Sequence, residues 1–220
     1  MPASLKTREI EILPAILVKS REELLEQIGI VKPFVKNVHI DMMDGLYVPN
    51  ETISVEDLLP LPYGLGYSFH WMVENPEDYI PQLPGPHMHV VHIETVHSWE
   101  KIEEAAKKSN GRLGLSMNPD TPVEDALKYK DKVSRFLVMA VIPGFDGQKY
   151  MEEVEPKITH LRKECPDIEI EVDGGINFDT APRAVKAGAN ILASASTIFR
   201  SENPGEAIRL LKNYAEGALR

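Results

Sequence analysis

The chain has 220 residues, a formal net charge of −10 and 43% hydrophobic residues, which fits one soluble domain with a sizeable core. The acidic balance excludes a general nucleic-acid binder, which presents basic patches, and no apolar run reaches the roughly 20 residues that cross a bilayer. A lone cysteine, Cys165, excludes an internal disulfide and fits a reducing cytoplasm.

Residues 1–9 are charged and lack the apolar stretch of a signal peptide, so they read as an N-terminal extension. Beyond them, apolar runs alternate with amphipathic stretches. A strand is predicted over 10–17, then a helix over 20–30 that opens with Ser20 and Glu23 in capping-box spacing. Strands follow over 37–42, 66–73, 89–94, 112–117, 135–141, 168–172 and 190–193. Helices are predicted between and after them over 76–82, 99–108, 122–129, 150–164, 179–187 and 204–216, with a short candidate at 55–59. Eight apolar strands, each followed by helix, imply a parallel sheet. With eight units and no topological break, the fold class is α/β and the architecture a single-domain (β/α)8 TIM barrel. The G-x-G-x-x-G fingerprint of an open dinucleotide-binding sheet is absent after the first strand.

In such a barrel the active site lies at the C-terminal strand ends. There the second strand carries His39 and Asp41, the third His70 and the seventh Asp173. His39, Asp41 and Met43 share one face, because side chains alternate along a strand. Any one of these residues has an ordinary structural reading. Two imidazoles and two carboxylates converging from both sides of one mouth make a site for Zn²⁺, Mn²⁺ or Fe²⁺. Met43, Met72 and Met139 also lie at these strand ends. They are either core filling or an apolar floor that keeps water from a reactive intermediate. His92 and Glu94, ending the fourth strand, either orient a ligand or make buried hydrogen bonds, the second reading being favoured.

Three loops after strands six to eight form a candidate phosphate site: Gly144-Phe145-Asp146-Gly147, Gly174-Gly175 and Ala195-Ser196. Glycines let backbone N–H groups approach an anion, and Ser196 is placed to cap a short helix over 197–200. No Lys or Arg is embedded in these loops, so neutral donors would hold the anion.

On these residues the chain resembles the ribulose-phosphate 3-epimerase family, over 12–199. The resemblance is carried by 39–50, 70–73, 138–150 and 172–177, with weaker matches at 118–122 and 188–199. It implies a (β/α)8 barrel and one divalent metal ion (Zn, Fe, Mn or Co) held by His39, Asp41, His70 and Asp173, with no organic cofactor. It implies Asp41 and Asp173 as the catalytic acid/base pair, and backbone at Gly144, Phe145, Asp146, Gly147, Gly174, Gly175, Ala195 and Ser196 as the cradle of a phosphorylated ketose. Epimerisation removes the C3 proton beside a C2 ketone and returns one on the opposite face, which two opposed carboxylates can do. The expected substrate pair is D-ribulose 5-phosphate and D-xylulose 5-phosphate, in pentose phosphate metabolism. The resemblance also implies a cytoplasmic homo-oligomer, a dimer or hexamer, with no membrane or nucleic-acid partner.

Four positions depart from the family pattern: Ala15 for Ser, Ile142 for a polar residue, Asp146 for a small residue and Ala195 for Gly. They bear on substrate identity and binding strength more than on reaction type. D-allulose 6-phosphate is the nearest rival substrate, and a weakly active phosphosugar-binding paralogue is the rival from another class. A decarboxylase of the related Asp-x-Lys-x-x-Asp type does not fit His-x-Asp-x-Met-Asp, and a metal hydrolase would need a His-x-His pair on strand one. An inward Asp146 carboxylate would repel a phosphate by about 4 kcal/mol at ~4 Å and an effective dielectric near ~20. Its side chain is therefore expected to point into solvent.

Overall fold

The computed structural model describes residues 9–219, so residues 1–8 of the expected N-terminal extension lie outside the described residues. Eight parallel strands close into a barrel in sequence order. They are β1 (Glu11–Ile16), β2 (Asn37–Met43), β3 (Gly66–Met72), β4 (Met88–His92), β5 (Arg112–Met117), β6 (Arg135–Met139), β7 (Glu169–Asp173) and β8 (Ile191–Ser194). Around them run α1 (Arg21–Val31), α2 (Val55–Leu58), α3 (Pro76–Tyr79), α4 (Trp99–Ser109), α5 (Val123–Leu127), α6 (Glu155–Glu164), α7 (Thr180–Ala187), α8 (Ser196–Phe199) and α9 (Pro204–Gly217). Among the described residues no helix is long and apolar enough to cross a membrane.

Local chemistry sets the boundaries. Ser20 caps α1 by accepting from the Glu23 N–H at 3.2 Å. The Glu23 carboxylate reaches back to the Lys19 N–H at 2.9 Å, one residue beyond the reciprocal partner of an ideal capping box. The fourth strand ends at His92, two residues before its expected end, because Ile93–Thr95 turn into a single 3-10 turn. The sixth helix starts at Glu155, behind a separate 3-10 turn at Glu152–Val154, rather than at 150. Ser196 is the first residue of α8 and not its cap; the cap position is Ala195, with no side-chain hydrogen bond.

Outward-facing strand residues such as Ile40, Phe69, Trp71, Val91 and Val138 pack on the helices in the main core. The lumen divides into two sectors. One is apolar, with Met88 and Val90 of β4 against Leu137 and Met139 of β6. The other is charged. Arg135 Nη1 donates to Glu171 Oε2 at 2.8 Å and reaches Ser68 Oγ on β3 at 3.4 Å. Its Nε donates to Glu169 Oε2 at 2.9 Å. Glu171 Oε1 then accepts from His39 Nδ1 at 2.8 Å, a bond that spans the lumen from β7 to β2. Burial opposes ionisation of Glu171, yet Arg135 and His39 outweigh it and hold the carboxyl at about 2.

Removing one partner of a buried pair leaves the other charge uncompensated, which costs about 3–5 kcal/mol. Arg135→Met keeps length and apolar bulk but strips Glu171 of its cation. Urea unfolding of this variant should show a loss on that scale; a loss under about 1 kcal/mol would mean that Glu171 is satisfied without Arg135.

Candidate active site

Strand register builds the site. In the β2–β3 ladder Asp41 lies opposite His70 and Met43 opposite Met72. On the other side of the mouth, Asp173 pairs with Met139 of β6 and Ala193 of β8. One ligand atom from each of His39, Asp41, His70 and Asp173 falls within a group spanning no more than 4.8 Å. Asp41 Oδ1 lies 3.1 Å from His39 Nε2 and 3.0 Å from His70 Nδ1, and Asp173 Oδ2 lies 3.9 Å from His70 Nδ1.

Outer hydrogen bonds decide which ring nitrogens face this cluster. His39 gives its Nδ1–H to Glu171, which turns Nε2 toward Asp41. His70 Nε2 meets His92 Nε2 at 2.8 Å, and His92 Nδ1 lies 3.1 Å from Glu94 Oε2. Burial pushes His92 down to about 4, so the ring is neutral near pH 7. Its Nδ1–H goes to the Glu94 carboxylate and its Nε2 accepts from His70 Nε2, which turns His70 Nδ1 toward Asp41. Burial opposes ionisation of Glu94. His92, the Asn118 N–H and the Thr121 hydroxyl outweigh it and hold the carboxyl at about 2. Tyr47 OH donates to Glu94 Oε2 at 3.3 Å and accepts from Asn118 Nδ2 at 2.9 Å, closing this outer ring. His92 and Glu94 thus make the buried hydrogen bonds favoured from sequence, and those bonds orient His70.

The donor set fits a divalent cation. Two imidazole nitrogens and two carboxylate oxygens are suitable ligands for zinc and its first-row neighbours, and both imidazoles are fixed from behind. Burial disfavours the His39 imidazolium, but Glu171 and Asp41 on either side hold its pKa well above the usual histidine range. A proton on Nε2 and a cation compete for the same place, which is how a metal ligand behaves.

The carboxylates sit in unequal fields. For Asp41 burial is outweighed by His39 and His70, and its pKa is pushed down. For Asp173 burial and the Asp41 charge act together, and its pKa is pushed up.

A cavity opens above the cluster, lined on one side by Met43, Met72 and Met139 and on the other by the loops after β6, β7 and β8. The three methionines are at most 6% exposed, so they are both packed and part of the cavity wall. Ala15, in register with His39, also lines it. Gly144, Phe145, Asp146, Gly147, Gly174, Gly175, Ala195 and Ser196 all border the cavity. Ile142 is 57% exposed and does not line it. At Gly174 a Cβ would meet Val141 Cγ2 at 2.5 Å, and at Gly175 the Tyr150 N at 2.4 Å; both glycines have positive φ. Only glycine fits there, because the backbone packs directly against Val141 and Tyr150 at positive φ.

Two features depart from the sequence expectation. The Asp146 carboxylate does not simply face solvent: Oδ1 accepts from the Gly147 N–H at 2.6 Å and Oδ2 pairs with Arg200 Nη2 at 3.0 Å. Arg200, 54 positions along the chain, is thus a cation beside loops expected to carry none. The spacing signal overlooked Glu171, although it lies two residues before Asp173 on the same strand face.

The Ribulose-phosphate 3 epimerase family matches residues 11–199. A cytoplasmic isoform of ribulose-phosphate 3-epimerase from Oryza sativa subsp. japonica is 39% identical over 189 residues, covering 82% of this chain and 83% of its own. The ribulose-phosphate 3-epimerase of Bacillus subtilis (strain 168) is 35% identical over 210 residues, covering 90% of this chain and 96% of its own. Among solved structures, 3-hexulose-6-phosphate synthase from Salmonella typhimurium shares the fold with a TM-score of 0.69 at 14% identity, over 95% of this chain and all (100%) of that one.

The depressed carboxyls carry an acid-stability signature. Glu94 and Glu171 titrate at about 2 in the fold, against an ordinary value of 4.5. The stability they confer is complete above the unfolded value and is lost as pH falls through the folded one. Asp173, shifted upward, works in the opposite sense and offsets part of it. Urea unfolding of the metal-free protein should weaken steadily from about pH 4.5 toward pH 2. Glu94→Gln should flatten the decline; an unchanged slope would mean that Glu94 is not held ionised.

Proposed function

The chain belongs to the ribulose-phosphate 3-epimerase family, and on that premise we propose that it epimerises a ketose phosphate at C3, interconverting D-ribulose 5-phosphate and D-xylulose 5-phosphate. The observation that carries this reading is the meeting of two carboxylates from opposite sides of the barrel, Asp41 of β2 and Asp173 of β7, within one four-residue cluster. A divalent cation held by His39, Asp41, His70 and Asp173 supplies Lewis-acid stabilisation of the negative charge that develops on the substrate's oxygens.

The side chains do the proton work. A C3 proton is acidic because it is α to the C2 carbonyl. One aspartate removes it and the other delivers a proton to the opposite face, so configuration inverts. The unequal fields suit this division: Asp41 is biased toward the carboxylate that accepts and Asp173 toward the acid that donates. In the reverse direction the roles exchange. Met43, Met72 and Met139 wall the cavity with apolar surface and limit the water that could reprotonate the intermediate without stereocontrol.

We assign the ester phosphate to the backbone N–H groups of the loops at 144–147, 174–175 and 195–196. Support comes from their common border on the cavity and from the glycines at 174 and 175, whose positive-φ backbone suits an anion-binding turn. Asn50 Nδ2 donates to the Gly144 carbonyl at 2.8 Å, and Gln148 Nε2 donates to the Ile142 and Phe145 carbonyls at 2.6 and 2.9 Å. These bonds hold the first loop's carbonyls away from the cradle.

Asp41→Asn and Asp173→Asn should each lower turnover by about 10²–10⁴-fold, the usual range for general acid–base catalysis. Metal content measured in parallel separates lost proton transfer from lost binding. In deuterium oxide the wild type should place deuterium at C3 of the recovered ketose. Full activity in either variant, or epimerisation with exchange at C1 and none at C3, would contradict the two-aspartate reading.

A further inference from the structure

At the rim of the cavity one carboxylate engages both a backbone N–H and a guanidinium. Asp146 Oδ1 accepts the Gly147 N–H at 2.6 Å, and its Oδ2 pairs with Arg200 Nη2 at 3.0 Å. The guanidinium lies over the loop: a Cβ added at Gly147 would sit 3.5 Å from Nη2 and 3.8 Å from Nη1. Local structure puts Arg200 there. The short helix α8 ends at Phe199, and the Arg200 N–H donates to the Ser196 carbonyl at 3.0 Å, so its side chain leaves one turn above residues 195–196. One backbone donor and one cation, both beside the cavity loops, are therefore engaged by a single internal carboxylate.

We propose that Asp146 is an internal stand-in for the substrate's phosphate, and that Arg200 is the side chain that distinguishes phosphorylated ketoses from free ones. This rests on the assignment of the 144–147, 174–175 and 195–196 loops to an ester phosphate. When the ligand arrives, its phosphate takes over the Gly147 N–H and the Arg200 guanidinium, and the Asp146 carboxylate rotates into solvent. Three properties make the exchange feasible. The ion pair is open to water, with side-chain exposures of 71% for Arg200 and 36% for Asp146, and such pairs are weak. A phosphate monoester carries about −1.5 to −2 charges at pH 7 and is the stronger acceptor. Arginine suits bidentate phosphate recognition. The backbone need not move, because Asn50 and Gln148 brace the loop independently of Asp146.

Exchange has a signature that simple screening lacks. If the ligand displaces Asp146, Arg200 gives up one partner to gain another, so its loss costs little while Asp146 is present and more once it is gone. If the Asp146–Arg200 pair instead persists and Arg200 only masks the carboxylate, its loss costs most while Asp146 is present.

The test titrates inorganic phosphate into the full-length, metal-loaded protein by calorimetry at fixed ionic strength. Wild type, Asp146→Gly, Arg200→Gln and the double variant are compared. We expect Asp146→Gly to tighten binding roughly tenfold, the scale of one charge at a half-exposed site. Arg200→Gln should weaken it, and the weakening should be larger in the Asp146→Gly background. A larger effect of Arg200→Gln in the wild-type background, or no effect in either, would overturn the exchange while leaving the phosphate cradle intact. Phosphate binding that is absent in all four proteins would overturn the cradle assignment and the exchange with it.

Discussion

A carboxylate buried on the barrel axis constrains everything above it. Glu171 is inaccessible to solvent, and an unpaired charge there would be costly. It is paired twice, by Arg135 below and His39 above. The lower pair gives the lumen a charged sector where a barrel of this type would ordinarily be packed with branched apolar residues. The upper pair fixes the His39 ring, and with it the direction of Nε2. Asp41 and His70 then follow from strand register, since the β2–β3 ladder places them side by side. The site is thus an extension of the core's own electrostatics, and its geometry is set before any ligand binds.

The same arrangement occurs on the other side through a different route. His70 is fixed by His92, His92 by Glu94, and Glu94 by groups from Tyr47, Asn118 and Thr121. Each of the two imidazoles is therefore braced by a carboxylate, His39 directly and His70 through His92, and both braces are held ionised against burial. This arrangement places two carboxylates in one small cavity, where burial and then the Asp41 charge raise the Asp173 pKa.

Strand periodicity and spacing made much of this legible from sequence. Inward residues on β2 and β3 obey a period of two, so His39, Asp41 and His70 could be placed at one mouth without coordinates. Asp173 followed from its position at the end of β7. The lumen pairs were harder to read. Arg135 opens an apolar strand and looks like a boundary residue; only closure of the barrel brings it to Glu171. Arg200 was invisible for a similar reason, because its partner Asp146 lies two βα units earlier and the pairing depends on where a four-residue helix ends. Ser196 looked like a helix cap by residue type, but the chain enters α8 through Ala195, already in helical conformation. Element boundaries shifted where a 3-10 turn ended the strand, as after His92.

We propose that one ring of two imidazoles and two carboxylates, from His39, His70, Asp41 and Asp173, binds a single divalent cation. Anomalous diffraction from crystals of the metal-loaded protein tests it most directly. One peak per chain, with His39 Nε2, His70 Nδ1 and the carboxylates of Asp41 and Asp173 around it, is the predicted result. A cation bound elsewhere, with no peak among those four side chains, would contradict it.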